Sequence, residues 1–136
     1  MKFTRQEEIA LLFVSELAKH RESFISLSDV AQKHGVSPLF LKNIARMLRK
    51  EGIVTSKEGL NGGYILKKDP SEISALQVIE AVGGVSKDVG ILKSNFTCPL
   101  HRSCMPQKIR HLISDAFARY LSDVTIDQFI KGGETI

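Results

Sequence analysis

The chain has 136 residues, of which 43% are hydrophobic, so it can build one domain with a core and one long extension. Its net charge of +4 permits a nucleic-acid partner without requiring one. No apolar run approaches the roughly 20 residues of a membrane span, and the opening segment MKFTRQEEIALL lacks a signal-peptide pattern. We therefore expect a cytoplasmic protein with no membrane partner.

The first 52 residues predict three helices. Thr4 and Glu7 have the spacing of a capping box, and apolar residues follow at helical spacing to about residue 20. A short second helix starts after Ser26, and Ser37 then acts as the N-cap of a third helix. The three-residue gap between the second and third helices is typical of a helix-turn-helix.

The exposed face of the third helix carries hydrogen-bond donors from Lys42, Asn43 and Arg46. Such a row suits phosphate oxygens and base acceptors in a major groove, although a solvated basic face would look the same. At the start of this helix we include Ser37, Leu39 and Phe40 among the predicted DNA contacts. The two apolar side chains could contact thymine methyl groups or simply pack beneath the following hairpin.

A predicted β-hairpin follows the third helix directly. Residues 53–56 are strand-like, residues 57–63 (KEGLNGG) form a turn, and residues 64–66 resume a strand. A hairpin in this place is a wing, and we expect Lys57 and Asn61 to contact DNA. Gly62 and Gly63 would let the wing backbone approach another surface closely.

The C-terminal half predicts a helix capped by Ser74 and Gln77, a loop over residues 85–104, and a long amphipathic helix. The apolar stripe at residues 109–121 predicts a homodimer with two recognition helices about a two-fold axis, matching a palindromic operator. The stripe could instead fold back on its own chain. Thr125 and Gln128 cap a last short helix.

The predicted fold class is mainly α with a small β-hairpin: a winged helix-turn-helix domain plus a long dimerisation helix. We assign residues 1–84 to the winged domain for DNA binding. Residues 85–104 form a cysteine-containing sensor loop, and residues 105–136 form the dimerisation helix with the short C-terminal helix.

Both cysteines of the chain, Cys98 and Cys104, lie in the stretch TCPLHRSCMPQK. Cys104 is close to the start of the long helix, where the helix dipole and free N–H groups lower a thiol's pKa. His101 and Lys108 add positive potential, which favours thiolates and the negative charge of an iron–sulfur cluster. Metal binding, a reversible disulfide and inert thiols all remain compatible with this pattern.

Five segments together resemble the IscR/NsrR-type family of bacterial repressors. They are MKFTRQEEIALL, SLSDVAQKHGVSPLFLKNIARMLRKEGIV, GLNGGYIL, EISALQVIEAV and the Cys-x5-Cys pair before a long helix. The resemblance runs from the first residue to about residue 130. It implies a dimeric winged-helix regulator, in which many members hold an iron–sulfur cluster that senses iron–sulfur status, nitric oxide or redox change. Other members carry no cluster.

The cysteines only partly match the pattern of cluster-binding members, which typically show three cysteines spaced five residues apart. Cys98 and Cys104 match the second and third, whereas Leu92 replaces the first. Gln107 stands where some members have a histidine ligand. A cluster in this chain would therefore need two ligands from elsewhere.

The resemblance implies Glu8, contributed by the partner subunit, and His34 as these two ligands, with His101 as a rival. Such a mixed set favours a 2Fe–2S cluster over a 4Fe–4S cluster. In the wing, relatives often carry arginine where this chain has Glu58, so we expect a different operator.

We therefore expect a dimeric DNA-binding transcriptional regulator, a repressor, whose operator affinity is set by an iron–sulfur cluster near Cys98 and Cys104. The alternative is a cluster-free winged-helix regulator controlled by thiol oxidation or a partner protein. An enzyme or metal carrier using Cys98 and His101 is a remote alternative, because no catalytic or cofactor motif accompanies them. We expect no catalytic residues.

Overall fold

The computed structural model describes residues 3–83 and 107–135, so Cys98, His101 and Cys104 lie outside the described residues. The elements in chain order are α1 (Arg5–Lys19), α2 (Leu27–His34), α3 (Pro38–Lys50), β1 (Val54–Lys57), β2 (Gly63–Leu66), a 3-10 helix (Pro70–Glu72), α4 (Ala75–Ala81), α5 (Gln107–Asp123) and α6 (Ile126–Thr135). The prediction of a mainly helical chain with a two-stranded antiparallel hairpin is confirmed.

Side-chain caps determine where the helices begin. The Ser37 hydroxyl accepts a hydrogen bond from the amide of Phe40 at 3.4 Å, and this satisfies a donor that the helix leaves unpaired. Ser74 and Gln77 form a reciprocal capping box with bonds of 3.1 and 2.9 Å. The capping box predicted at α1 forms only in part. The Thr4 hydroxyl accepts from the amide of Glu7, but neither Glu7 carboxylate oxygen has a hydrogen-bond partner among the described residues.

Helix α1 lies at the centre of the fold and packs against α3, β2, α4 and α6. Its inward face buries Phe13, Val14 and Leu17 completely. From α3, Leu41, Ile44 and Leu48 close the core against them. Burying a side chain of this size stabilises the fold by roughly 1.5–3 kcal/mol. The core therefore fixes α3 by its apolar face and leaves its polar face in solvent.

The hairpin is tied to the helical domain by a third extended segment. Val54 pairs with Leu66 and Lys57 pairs with Gly63 across the two strands. Ile25, between α1 and α2, donates to Tyr64 at 2.9 Å and accepts from it at 2.8 Å. Gly63 has a φ of 141°, and a side chain there would collide with the Ile25 carbonyl. This close backbone approach requires glycine and holds the wing in place.

The apolar stripe of α5 divides into two faces. Phe117 and Leu121 pack on Ala75 and Ile79 of α4, so this part of the stripe folds back on its own chain. Leu112 and Tyr120 are 60% and 66% exposed, and both lie on a neighbouring face of the helix. Within residues 3–83 and 107–135, no helix combines the length and apolar character needed to cross a membrane.

Candidate nucleic-acid interface

A groove of about 420 Å³ lies between α3 and the hairpin. Its walls are Leu39, Lys42, Asn43, Arg46 and Arg49 of α3, and Ser56, Lys57, Glu58, Gly63 and Tyr64 of the hairpin. The groove brings together six of the ten residues that the sequence predicted as DNA contacts. The helical wall is strongly cationic, because its three basic side chains are exposed and face no acidic residue of α3.

The other four predicted contacts lie outside the groove walls. The Ser37 hydroxyl is engaged as the N-cap of α3, and Phe40 is half-buried against the core. Asn61 and Gly62 are at the tip of the wing, beyond the groove. Leu39, in contrast, is 69% exposed on the groove side, so the two apolar residues at the start of α3 have different environments.

Two hydrogen bonds organise the polar wall of the groove. Arg46 Nη2 donates to Asn43 Oδ1 at 3.1 Å, one turn earlier on α3. Arg49 Nη1 donates to the Ser56 hydroxyl at 3.0 Å and so links α3 to β1. These bonds restrict the arginine rotamers, which lowers the entropy lost when the side chains meet a ligand.

The wing has little net charge to offer a phosphate. The Lys57 ammonium lies 5.8 Å from the centre of the Phe24 ring, within the range of a cation–π contact. Glu58 next to it is exposed and acidic. The cationic charge of the groove therefore belongs mainly to α3.

A second polar cluster joins α1 to α2, around the buried carboxylate of Glu16. Lys33 Nζ donates to its two oxygens at 3.3 and 3.2 Å, and Lys19 lies 3.6 Å away. The Nε2 of His34 is 3.3 Å from Glu16 Oε1, although not in hydrogen-bond geometry. Burial opposes the charged form of Glu16, but Lys33, Lys19 and His34 outweigh it and lower the pKa of this carboxyl.

The two ligand candidates in the described residues occupy different surroundings. Glu8 is exposed on the first turn of α1, whereas its neighbour Glu7 is only 1% exposed. Burial raises the pKa of the Glu7 carboxyl, and the nearby Thr4 offsets part of this rise. The described residues contain no group of three ligand-type side chains that could hold a metal ion.

Sequence reasoning missed two of these relationships. The Arg49–Ser56 bond depends on the angle at which β1 leaves α3, which has no local sequence signal. The buried Glu16 had a signal, because an acidic residue beside Phe13 and Leu17 interrupts the apolar face of α1. Such a residue needs cationic neighbours, and Lys33 and Lys19 supply them.

Comparisons with known proteins agree with this architecture. A family model described as Rrf2, iron-dependent transcriptional regulator, matches residues 3–132. The HTH-type transcriptional regulator IscR of Pectobacterium atrosepticum is 28% identical over 137 residues, covering 100% of this chain and 83% of that protein. The structure of CymR, the global cysteine regulator of B. subtilis, is similar with a TM-score of 0.74 and 26% identity, covering 96% of this chain and 97% of that one. T. potens IscR shares the fold, with a TM-score of 0.77 at 23% identity and coverage of 98% and 88%.

Proposed function

Because the chain belongs to the Rrf2 family of transcriptional regulators, we propose that it is a dimeric repressor whose operator affinity responds to an iron–sulfur cluster. Its relatives are named transcriptional regulators, so the chain is a DNA-binding regulator and not an enzyme. The observation that carries the proposal is the groove between α3 and the wing. Its cationic wall is the exposed face of α3, and the opposite face of this helix is buried in the core.

DNA would enter this groove with α3 in the major groove. Lys42 and the Arg46–Asn43 pair would meet base edges and phosphates, since they are exposed donors on one helical face. Leu39 offers an apolar contact to a thymine methyl. Ser37 is at the N-terminus of α3, where amide groups favour a phosphate.

A second copy of the chain would cover the exposed face of α5. Leu112 and Tyr120 lie eight residues apart, which places them on the same face, and neither is covered in the described structure. A dimer through this face pairs two winged domains, as a palindromic operator requires. In the same proposal, residues 1–84 bind DNA, residues 85–104 form the sensor segment, and residues 105–136 form the dimer.

The donor set of the chain suits an iron–sulfur cluster. Cys98 and Cys104 would supply thiolates, while Glu8 of the partner subunit and His34 would supply oxygen and nitrogen ligands. The geometry of α1 supports a ligand set in which Glu8 and His34 come from different subunits. His34 lies beside Glu16, and Glu8 is eight residues earlier, about 12 Å along the helix, too far for one protomer to provide both. A cluster held by these residues would supply redox-dependent charge next to the helix-turn-helix.

One observation favours a second candidate, a regulator without a cluster. Leu92 removes one of the three cysteines of the cluster-binding pattern, and a similar solved structure is that of an oxidised form of Staphylococcus aureus CymR. In this candidate, Cys98 and Cys104 respond to oxidants directly. Iron and sulfide analysis of anaerobically purified protein distinguishes the two candidates.

The DNA-binding proposal is tested with duplexes enriched from a randomised pool by the full-length protein. We expect Lys42→Ala and Arg46→Ala to weaken binding by roughly 1–3 kcal/mol each if the side chain reads a base. Loss of a phosphate contact would instead lower affinity for all duplexes and flatten the salt dependence by about one unit. Lys67→Ala is the matched control, because Lys67 is exposed but does not line the groove. If all three variants bind like the parent, α3 is not the recognition helix.

A further inference from the structure

The most exposed large apolar side chain of the described structure is at the tip of the wing. Leu60 is 95% exposed, between Gly59 and Asn61, and both neighbours have a positive φ (98° and 64°). The amide of Gly62 donates to the Gly59 carbonyl at 3.0 Å, which closes the turn. A side chain at Gly62 would collide with backbone atoms of the same turn. The tip therefore has a defined shape that projects Leu60 outward.

A single exposed leucine is common on protein surfaces and means little alone. This one is continuous with the groove walls, because Lys57, Glu58 and Gly63 of the same hairpin line the groove beside α3. The hairpin is also held at its base by two backbone hydrogen bonds between Ile25 and Tyr64 and by the Arg49–Ser56 bond. Leu60 is thus carried on a support that is fixed relative to the recognition helix.

Charge does not explain what the tip of the wing would do on DNA. Glu58 repels phosphates and offsets the charge of Lys57, whose ammonium lies 5.8 Å from the centre of the Phe24 ring. Besides the neutral amide of Asn61, the side chain that remains at the tip is the apolar Leu60. Apolar side chains contact DNA in the minor groove by filling it or by wedging between base steps, which favours A·T pairs and easily deformed steps.

We propose that the wing reads DNA through Leu60, as an apolar minor-groove contact, and not through a cationic side chain. The inference rests on the proposed DNA-binding function and adds a specificity-determining residue to it. The minor groove of a G·C pair carries the guanine amino group, which an apolar side chain cannot satisfy. Leu60 therefore selects pairs that lack this amino group.

The test uses three duplexes built on one site enriched by the wild-type protein. They carry A·T, G·C or inosine·C pairs at positions whose minor groove the protein protects from hydroxyl radicals. Inosine·C matches A·T in lacking the minor-groove amino group, but it presents the major-groove pattern of G·C. We expect the wild-type protein to bind the A·T and inosine·C duplexes alike, and the G·C duplex about tenfold more weakly. Leu60→Ser should bind all three duplexes alike.

Two results would overturn the proposal. One is a wild-type preference that groups inosine·C with G·C, which indicates major-groove readout. The other is a Leu60→Ser variant that keeps the preference of the parent, which leaves the tip free for a protein partner. Lys42→Ala separates this failure from a failure of DNA binding itself. If Lys42→Ala loses affinity while Leu60→Ser does not, only the Leu60 inference is wrong. If neither variant nor Arg46→Ala changes binding, α3 is not the recognition helix and the proposed DNA interface is wrong as well.

Discussion

The Nε2 atom of His34 lies 3.3 Å from Oε1 of Glu16, so the end of α2 lies against the C-terminal part of α1. Lys33 binds the same carboxylate from the adjacent position. Helix α2, which precedes α3, is therefore held against α1 by charge as well as by apolar packing. A substitution of His34 would therefore change the surroundings of Glu16 in α1.

We expect Glu16→Gln to destabilise the protein by about 1–2 kcal/mol at neutral pH, because Lys33 and His34 lose their anion. The folded-state pKa of Glu16 is lowered. Its contribution is therefore fully present above the unfolded value of 4.5 and is lost as the pH falls through the folded pKa. Urea unfolding of both proteins at several pH values should show their stabilities converging in acid. A constant difference down to pH 3 would contradict this.

Glu7→Gln should have the opposite effect. The Glu7 carboxyl is buried without a hydrogen-bond partner among the described residues, and burial raises its pKa. The charged form therefore weakens the fold above the folded pKa, and the penalty disappears as protonation proceeds below it. We expect a gain of about 1 kcal/mol at neutral pH that vanishes in acid.

Glu8→Gln is the matched control for this experiment, because Glu8 is the exposed neighbour on the same helix turn. Its effect on the free energy of unfolding should be smaller than that of Glu7→Gln, because the Glu8 carboxylate is in solvent. A Glu7→Gln variant that is less stable than the parent would mean that the carboxylate has a partner in the assembled protein, supplied by the second subunit or by residues 84–106.

The dimer is tested on the outward face of α5. Leu112→Asp and Tyr120→Asp together should give monomers in analytical ultracentrifugation, because an interface cannot bury unpaired charges without a cost of several kcal/mol. Phe117 is a poorer probe than the sequence suggests, since it packs on α4 of its own chain. Ser122→Asp adds one aspartate at an exposed position off this face and should leave the dimer intact. A double variant that still sediments as a dimer would place the interface elsewhere.

The sequence predicted the helices and strands well where a signal within a few residues determines them. The hydroxyl caps at Ser37 and Ser74 and the helical spacing of apolar residues define helix starts and buried faces without reference to the rest of the chain. The packing of one element on another was harder to predict from the sequence. Phe117 and Leu112 belong to one apolar stripe in sequence, and only the position of α4 separates an inward from an outward face. Likewise, Glu7 and Glu8 are equivalent in sequence, as acidic residues of the first turn of a helix. The packing of α1 buries Glu7 and leaves Glu8 exposed.

The chemistry of Cys98 and Cys104 distinguishes the cluster-binding regulator from the cluster-free regulator. Anaerobic reconstitution with iron and sulfide should give a coloured protein with a 2Fe–2S spectrum. Cys98→Ala and Cys104→Ala should both be colourless, since each removes a thiolate. His34→Ala should alter the spectrum or destabilise the cluster, because it removes the proposed imidazole ligand.

Three further variants separate ligation from indirect effects. Glu8→Ala should destabilise the cluster without changing the stability of the cluster-free protein, because Glu8 is exposed in the single chain. Glu16→Gln keeps every proposed ligand. Its spectrum therefore shows the effect of removing the Glu16 carboxylate beside His34 without removing His34 itself. If His101→Ala abolishes the colour while His34→Ala preserves it, the fourth ligand comes from the cysteine loop and coupling through α2 is wrong. If the parent stays colourless yet loses operator affinity on oxidation, and Cys98→Ala does not, the thiols themselves are the sensor and the cluster-free candidate is correct.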